Sequence, residues 1–178
     1  MNPKWHEVEP GVFFTDNSPV LATDADLRFL EGKSQASPVG RARLCAHSSP
    51  SDGLHEMLIC LARHCYIRPH RHRKAESALV LRGECDLVLF DEQGEIHNVL
   101  PLSAPGTDVP FFVRLTEPVY HTYLLHSDFL LFLETTPGPF DRRLTEYAPW
   151  APAETDSVST YQENLQVRIA EWRVSRQK

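Results

Sequence analysis

The amino-acid sequence predicts an all-β protein, an antiparallel β-barrel or β-sandwich with a short N-terminal extension and a C-terminal α-helix. Three observations carry this. From Arg41 to about Glu134 the chain is written in short runs rich in Val, Ile, Leu, Phe and Tyr. Gly, Pro, Asp and Ser separate the runs at the intervals usual for antiparallel sheets. Between two of them Asp91-Glu92-Gln93-Gly94 reads as a hairpin turn. In the tail Val158, Tyr161, Leu165, Ile169 and Trp172 recur at three- and four-residue spacings, the stripe of one amphipathic helix.

The elements follow in order. Residues 1–40 form a mixed extension packed on the barrel, with a strand at Val12–Phe14 and a small helix at Asp24–Glu31 that Thr23 can cap and Gly32 can end. Residues 41–136 form the core. Its strands are expected near Met57–Ala62, Tyr66–Pro69, Ser77–Arg82, Cys85–Phe90, Ile96–Leu102, Phe111–Leu115, His121–Leu125 and Phe129–Glu134. Residues 137–178 comprise a Pro-rich loop and a helix over about Ser157–Arg176, whose apolar face packs on the barrel or on a second subunit. A chain of 178 residues suits one domain, which needs no disulfide or metal merely to stay folded.

Composition excludes several functions. Hydrophobic residues at 42% and charged residues at 24% are those of an ordinary soluble globular protein. Eighteen Lys and Arg against 24 Asp and Glu leave a net charge of -6, the wrong sign for neutralising phosphates, so no nucleic-acid partner is expected. The most apolar run, Phe129–Leu133, is far shorter than the roughly 20 residues of a membrane span. Cys45, Cys60, Cys65 and Cys85 contain no CxxC pair, and the opening MNPKWHEVEP lacks the pattern of a secretory signal, which together suggest free thiols and a cytoplasmic location. The cysteines read as small core residues.

The chemistry concentrates in Pro69-His70-Arg71-His72-Arg73-Lys74-Ala75-Glu76 and the run to Gly83, which reads HxHx3Ex6G. On an extended chain His70 and His72 point to one face. Glu76, at the start of the next strand, can add an oxygen ligand, and Gly83 allows the following turn. His121, after Pro118 in a P-x-x-H arrangement, is the best third histidine. Three polar side chains on an inward face need compensation when buried, which a metal supplies. Three imidazoles and one carboxylate suit one divalent transition metal (Fe, Mn, Ni, Co or Zn) and leave two positions of a six-coordinate ion open. His6, His55, His64, His97 and His126 read as structural, and Arg71, Arg73 and Lys74 as a solvated basic edge.

HxHx3Ex6G with a downstream proline and histidine resembles the two motifs of the cupin superfamily, which implies a small antiparallel β-barrel of the jelly-roll type. The general second motif, PxGx2H with asparagine four residues later, is altered here. The proline lies three residues before His121, and Leu125 stands at the asparagine position. More narrowly, Arg41-Ala42-Arg43 through His47, Tyr66–His72, Val80–Gly83, Pro118–Thr122 and Ala148–Pro152 resemble the WbuC family of cupin fold metalloproteins. That resemblance implies a setting in bacterial polysaccharide (O-antigen) metabolism with no defined reaction, and cupins commonly form homodimers by strand exchange or edge pairing.

Strand parity places Tyr66 and Arg68 with His70, and Tyr123 with His121, as candidates to contact a small-molecule ligand. Arg41, Arg43 and His47 join them, since guanidinium groups bind carboxylate or phosphate bidentately; surface arginines are the equal alternative. Tyr123, Arg68 and Glu134 are the candidate catalytic groups, Glu134 as a general base or a simple cap on the barrel mouth. Three functions remain open. The first is a metal-dependent enzyme, an isomerase or oxygenase, acting on a small acidic or sugar-derived molecule. The second is a non-catalytic small-molecule or sugar-binding module. The third, a metal-free sugar epimerase using a His–Asp pair, is disfavoured by the intact ligand set.

Overall fold

The computed structural model of the chain describes residues 4–153 and 158–176. The strands are β1 (His6–Glu9), β2 (Val12–Phe14), β3 (Arg41–Cys45), β4 (Leu54–Ala62), β5 (His70–His72), β6 (Glu76–Arg82), β7 (Glu84–Phe90), β8 (Ile96–Ser103), β9 (Phe112–Leu115), β10 (Tyr120–Leu125), β11 (Phe129–Pro137) and β12 (Thr145–Tyr147). Two α-helices, α1 (Asp24–Ala36) and α2 (Ser159–Ser175), and a short 3-10 helix at Arg142–Leu144 complete the order. One sheet runs β1-β2-β3-β4-β11-β6-β9 and the other β12-β5-β10-β7-β8. Their pairs are antiparallel except β2 with β3, which α1 connects in parallel.

The sheets stack as a double-sheet sandwich of the jelly-roll kind and do not close into the expected barrel. Among the described residues no ladder joins edge strand β9 to β8, or β1 to β12. The N-terminal extension is part of this architecture, because β1 and β2 lengthen the first sheet.

Side-chain alternation divides the interior into three layers. On β3, Ala42 and Leu44 face α1 and pack with Trp5, Phe13, Leu30 and Leu131, whereas Cys45 faces the other sheet. On β7, Cys85, Leu87 and Leu89 enter the layer between the sheets, while Val88 and Phe90 pack beneath α2. Strands buried on both faces explain why these runs read as nearly continuous apolar sequence. The cysteines are small buried residues; burial pushes Cys45 and Cys60 up to about 11 and Cys85 to about 12, so they stay protonated thiols.

The two helices differ instructively from their sequence signals. Thr23 caps α1, its N–H donating to Asp26 Oδ2 at 2.8 Å. The helix nevertheless runs through Gly32 to Ala36. A side chain at Gly32 would point into open space, so this surface glycine forgoes no packing and costs only about 1 kcal/mol. Buried Ser34, 3.2 Å from Cys60 Sγ, holds the last turn on β4. The expected start of the second helix, Ser157, lies outside the described residues. From Val158 onward, Tyr161, Leu165, Ile169 and Trp172 pack on Val88, Phe90 and Leu124, which resolves the open alternative in favour of the chain's own sheet. Burial of Leu165 and Ile169 contributes roughly 2 kcal/mol each. Asp86, 1% exposed, accepts from Arg173 of α2 at 2.6 Å and fastens its end. Among the described residues no helix is long and apolar enough to cross a membrane.

Two departures bear on the site. Residues 66–69 are irregular rather than a strand, and the ladder begins only at His70, after Pro69, which has no N–H to donate. Gly83 turns β6 into β7 at φ 85°, where a Cβ would strike the Phe129 carbonyl and approach Ser127 Oγ to 2.5 Å. Gly83→Ala is therefore expected to cost about 2–4 kcal/mol, from left-handed strain and the backbone clash together. Chemical denaturation checks this, and a loss under 1 kcal/mol would show that the turn relaxes freely.

Candidate metal centre

Three histidines converge because two short strands lie side by side. Extended β5 sends His70 and His72 to one face, and β10 runs antiparallel beside it with His121 directly opposite His70. Ring centroids lie 4.8 Å apart for His70 and His72, 4.6 Å for His70 and His121, and 6.1 Å for His72 and His121. One nitrogen from each lies within 4.8 Å of the others. Glu76 arrives from the opposite sheet rather than from a neighbouring strand. Its Oε1 stands 3.2 Å from His121 Nε2 and its Oε2 3.6 Å from His72 Nε2.

Every imidazole is oriented from behind. His70 Nδ1 lies 2.8 Å from the Arg68 carbonyl, and His121 Nδ1 lies 3.0 Å from the Val119 carbonyl. A carbonyl only accepts, so both Nδ1 atoms carry the hydrogen and both Nε2 atoms are left as acceptors. His72 Nδ1 meets Thr145 Oγ1 at 3.0 Å. This arrangement, with Nδ1 engaged and Nε2 available, is that of metal-binding histidines.

Electrostatics favour neutral imidazoles and a protonated carboxyl. Burial, reinforced by His121, holds His70 down at about 3. Burial likewise lowers His72 and His121 to about 4. Glu76 is raised to about 8 by burial and by the neighbouring Glu134. The proton of the Glu76–His121 contact therefore resides on the carboxyl. The three imidazoles lie close enough together that they could hold a divalent transition metal, and Glu76 stands within reach to join them.

The inter-sheet layer extends the polar set. Arg41 and Arg43 share the inward parity of Cys45; Arg41 acts electrostatically on His70 and Arg43 on Glu134. Glu134 on β11 is partly buried, and desolvation raises its carboxyl against the pull of Arg43. Tyr123 packs its ring 5.4 Å from Phe132, and burial with Glu134 and Glu76 nearby keeps its phenol protonated. These candidates gather around Glu76. His47 stands farther along, stacked on His55 at 4.0 Å, with burial and His55 lowering its basicity.

Tyr66 and Arg68 go elsewhere, because the irregular segment breaks their parity with His70. Tyr66 packs against Tyr161, and its hydroxyl donates to the Pro152 carbonyl at 3.0 Å. Arg68 donates to the Ala148 carbonyl at 2.9 Å with its guanidinium over Tyr147, so its main-chain oxygen, not its side chain, serves His70. A His–Asp pair does occur, His126 Nε2 with Asp86 Oδ2 at 2.8 Å, but Asp86 points to α2, on the face of β7 opposite the histidines. Sequence reasoning missed Thr145 and Glu146 and misread the basic run. Arg71 and Arg73 bind Glu146, and Lys74 donates to the Pro137 and Pro139 carbonyls, so these cations are anchors rather than a solvated edge.

Residues 22–102 match the family described as a domain of unknown function, DUF6016. No curated protein matches the chain. Among solved structures, an oxalate decarboxylase variant from Bacillus subtilis is similar over 60% of this chain, with 17% identity and a TM-score of 0.47. The same enzyme at pH 4.6 gives 18% identity over 60% of this chain and a TM-score of 0.45. Protein SO0799 from Shewanella oneidensis is similar over 55%, with 13% identity and a TM-score of 0.48. The chain covers 27% of each decarboxylase chain and 63% of the Shewanella protein.

Proposed function

We propose that this chain is a cupin metalloprotein in which His70, His72, His121 and Glu76 hold one divalent transition metal that acts on a small carboxylate-bearing ligand. The observation that carries the reading is the convergence of three back-bonded imidazoles with Glu76 Oε1 3.2 Å from His121 Nε2. A bound divalent ion supplies Lewis-acid polarisation of a ligand oxygen. Arg41 and Arg43 oppose the ligand's negative charge from the same layer. Glu134 and Tyr123, partly buried near Glu76, are the groups that accept or donate a proton there. The likeness to WbuC proteins puts sugar-derived acids of bacterial polysaccharide metabolism first among ligands to assay, with isomerisation or oxygenation as the reaction and cytoplasm as the setting.

Elemental analysis of protein purified without chelator or added metal tests the reading. About one equivalent of a first-row metal is expected in wild type, with marked depletion in His121→Ala. Wild-type protein that stays metal-free after reconstitution would refute the site. Stoichiometric metal and ligand binding without turnover of any acid tested would assign a binding module instead of an enzyme.

A further inference from the structure

His72 differs from its two companions in how it is held. His70 and His121 each place Nδ1 on a main-chain carbonyl two residues back along the chain, contacts that no side-chain substitution removes. His72 relies on a side chain from a distant element, Thr145 of β12. β12 docks on β5 residue for residue, Thr145 against His72, Glu146 against Arg71 and Tyr147 against His70. Alternation on both strands then separates two roles. Thr145 lies on the histidine side, and Tyr147 places its ring centroid 6.2 Å from that of His70. Glu146 lies on the other side, between two guanidinium groups. Its Oε2 accepts from Arg71 Nε at 2.9 Å, and its Oε1 accepts from Arg73 Nε at 2.9 Å and Nη2 at 2.7 Å.

We propose that Thr145, fastened to β5 by Glu146 between Arg71 and Arg73, is a positioning residue that holds His72 with its hydrogen on Nδ1 and its Nε2 turned toward Glu76. The role of that Nε2 as a metal ligand rests on the function proposed above; the orientation of the ring does not. Arg71 and Arg73 interleave with the histidines for this reason, since the strand that presents the ligands on one face presents the fasteners of β12 on the other. A hydroxyl accepts readily from an imidazole N–H, and isosteric valine cannot. Partners behind metal-binding histidines typically govern affinity by 10–100-fold.

Two readouts on the full chain separate this proposal from the metal reading. In metal-free protein near pH 7, long-range proton–nitrogen correlation spectra should show His72 as the Nδ1-protonated tautomer. Thr145→Val should shift it toward the Nε2-protonated form, and Thr145→Ser should restore it. In Co(II) titration, Thr145→Val should weaken binding by about 10–100-fold, Glu146→Gln by less, and Thr145→Ser hardly at all. An unchanged His72 tautomer in Thr145→Val would overturn the proposal whether or not metal binds. Wild-type protein that binds no Co(II) would instead sink the metal reading and leave the tautomer measurement to decide for Thr145.

Discussion

Replacing His70 and His72 together with alanine is expected to abolish stoichiometric metal uptake while the chain stays folded. A protein site that binds a divalent ion with about 10–16 kcal/mol through four ligands gains about 2.5–4 kcal/mol from each, so losing two lowers affinity by roughly 10⁴–10⁶-fold. Folding should survive, because the apolar layers above and below the second sheet do not depend on these imidazoles. Both rings also sit where burial disfavours their charged forms, so their removal sacrifices little. Elemental analysis and thermal unfolding of the same preparation check both halves. Full occupancy in the double variant would exclude these ligands, and an unfolded variant would show that they also build the core.

Metal affinity should rise about tenfold per pH unit from about pH 5 to about pH 8 and then level off. The sign follows from which groups carry protons in the metal-free protein. The three histidines, at about 3 to 4, are already neutral at pH 6 and have nothing to release. Glu76, at about 8, is still protonated there, so each metal bound displaces one proton from it. Below about pH 4 the slope should steepen as the imidazoles begin to hold protons. Groups at ordinary values would give the reverse profile, flat above about 6.5 and steep below. Isothermal titration in buffers of different ionisation enthalpy counts the released proton directly. Glu76→Gln should abolish both the release and the slope between pH 5 and pH 8; a slope that persists would move the titrating group away from Glu76.

What could be read in the sequence was what strand parity controls. His70 and His72 fall on one face because β5 is extended, and His121 faces them because β10 is its neighbour, both consequences of a period of two. Glu76 was recognised from spacing, though its arrival from the opposite sheet was not, since spacing within a chain says nothing about which sheet a strand joins. Tyr66 and Arg68 were misplaced because parity was carried through an irregular segment. β12 was invisible for another reason. Three residues among prolines and glycines have no periodicity of their own, and Thr145–Tyr147 become a strand only by pairing with residues 70–72 some 75 positions earlier. Glu146, the carboxylate that Arg71 and Arg73 share, lies on that same stretch, so these two side chains read as solvated without it.

The position of β11 has a consequence for the order in which the molecule is made. Its nine residues lie between β4 and β6 and pair with both, so the first sheet has a gap at its centre until Phe129–Pro137 have been synthesised. Contacts between such distant segments close slowly, because the chain loses the entropy of a long loop before the ladder rewards it. The histidines are subject to the same schedule, with His121 on β10 and the strand behind His72 emerging after β5. On the ribosome the HRH segment is thus exposed before its partners exist, and the three histidines come together only once β10 has been made. On the function proposed above, metal loading follows the pairing of these strands rather than nucleating it.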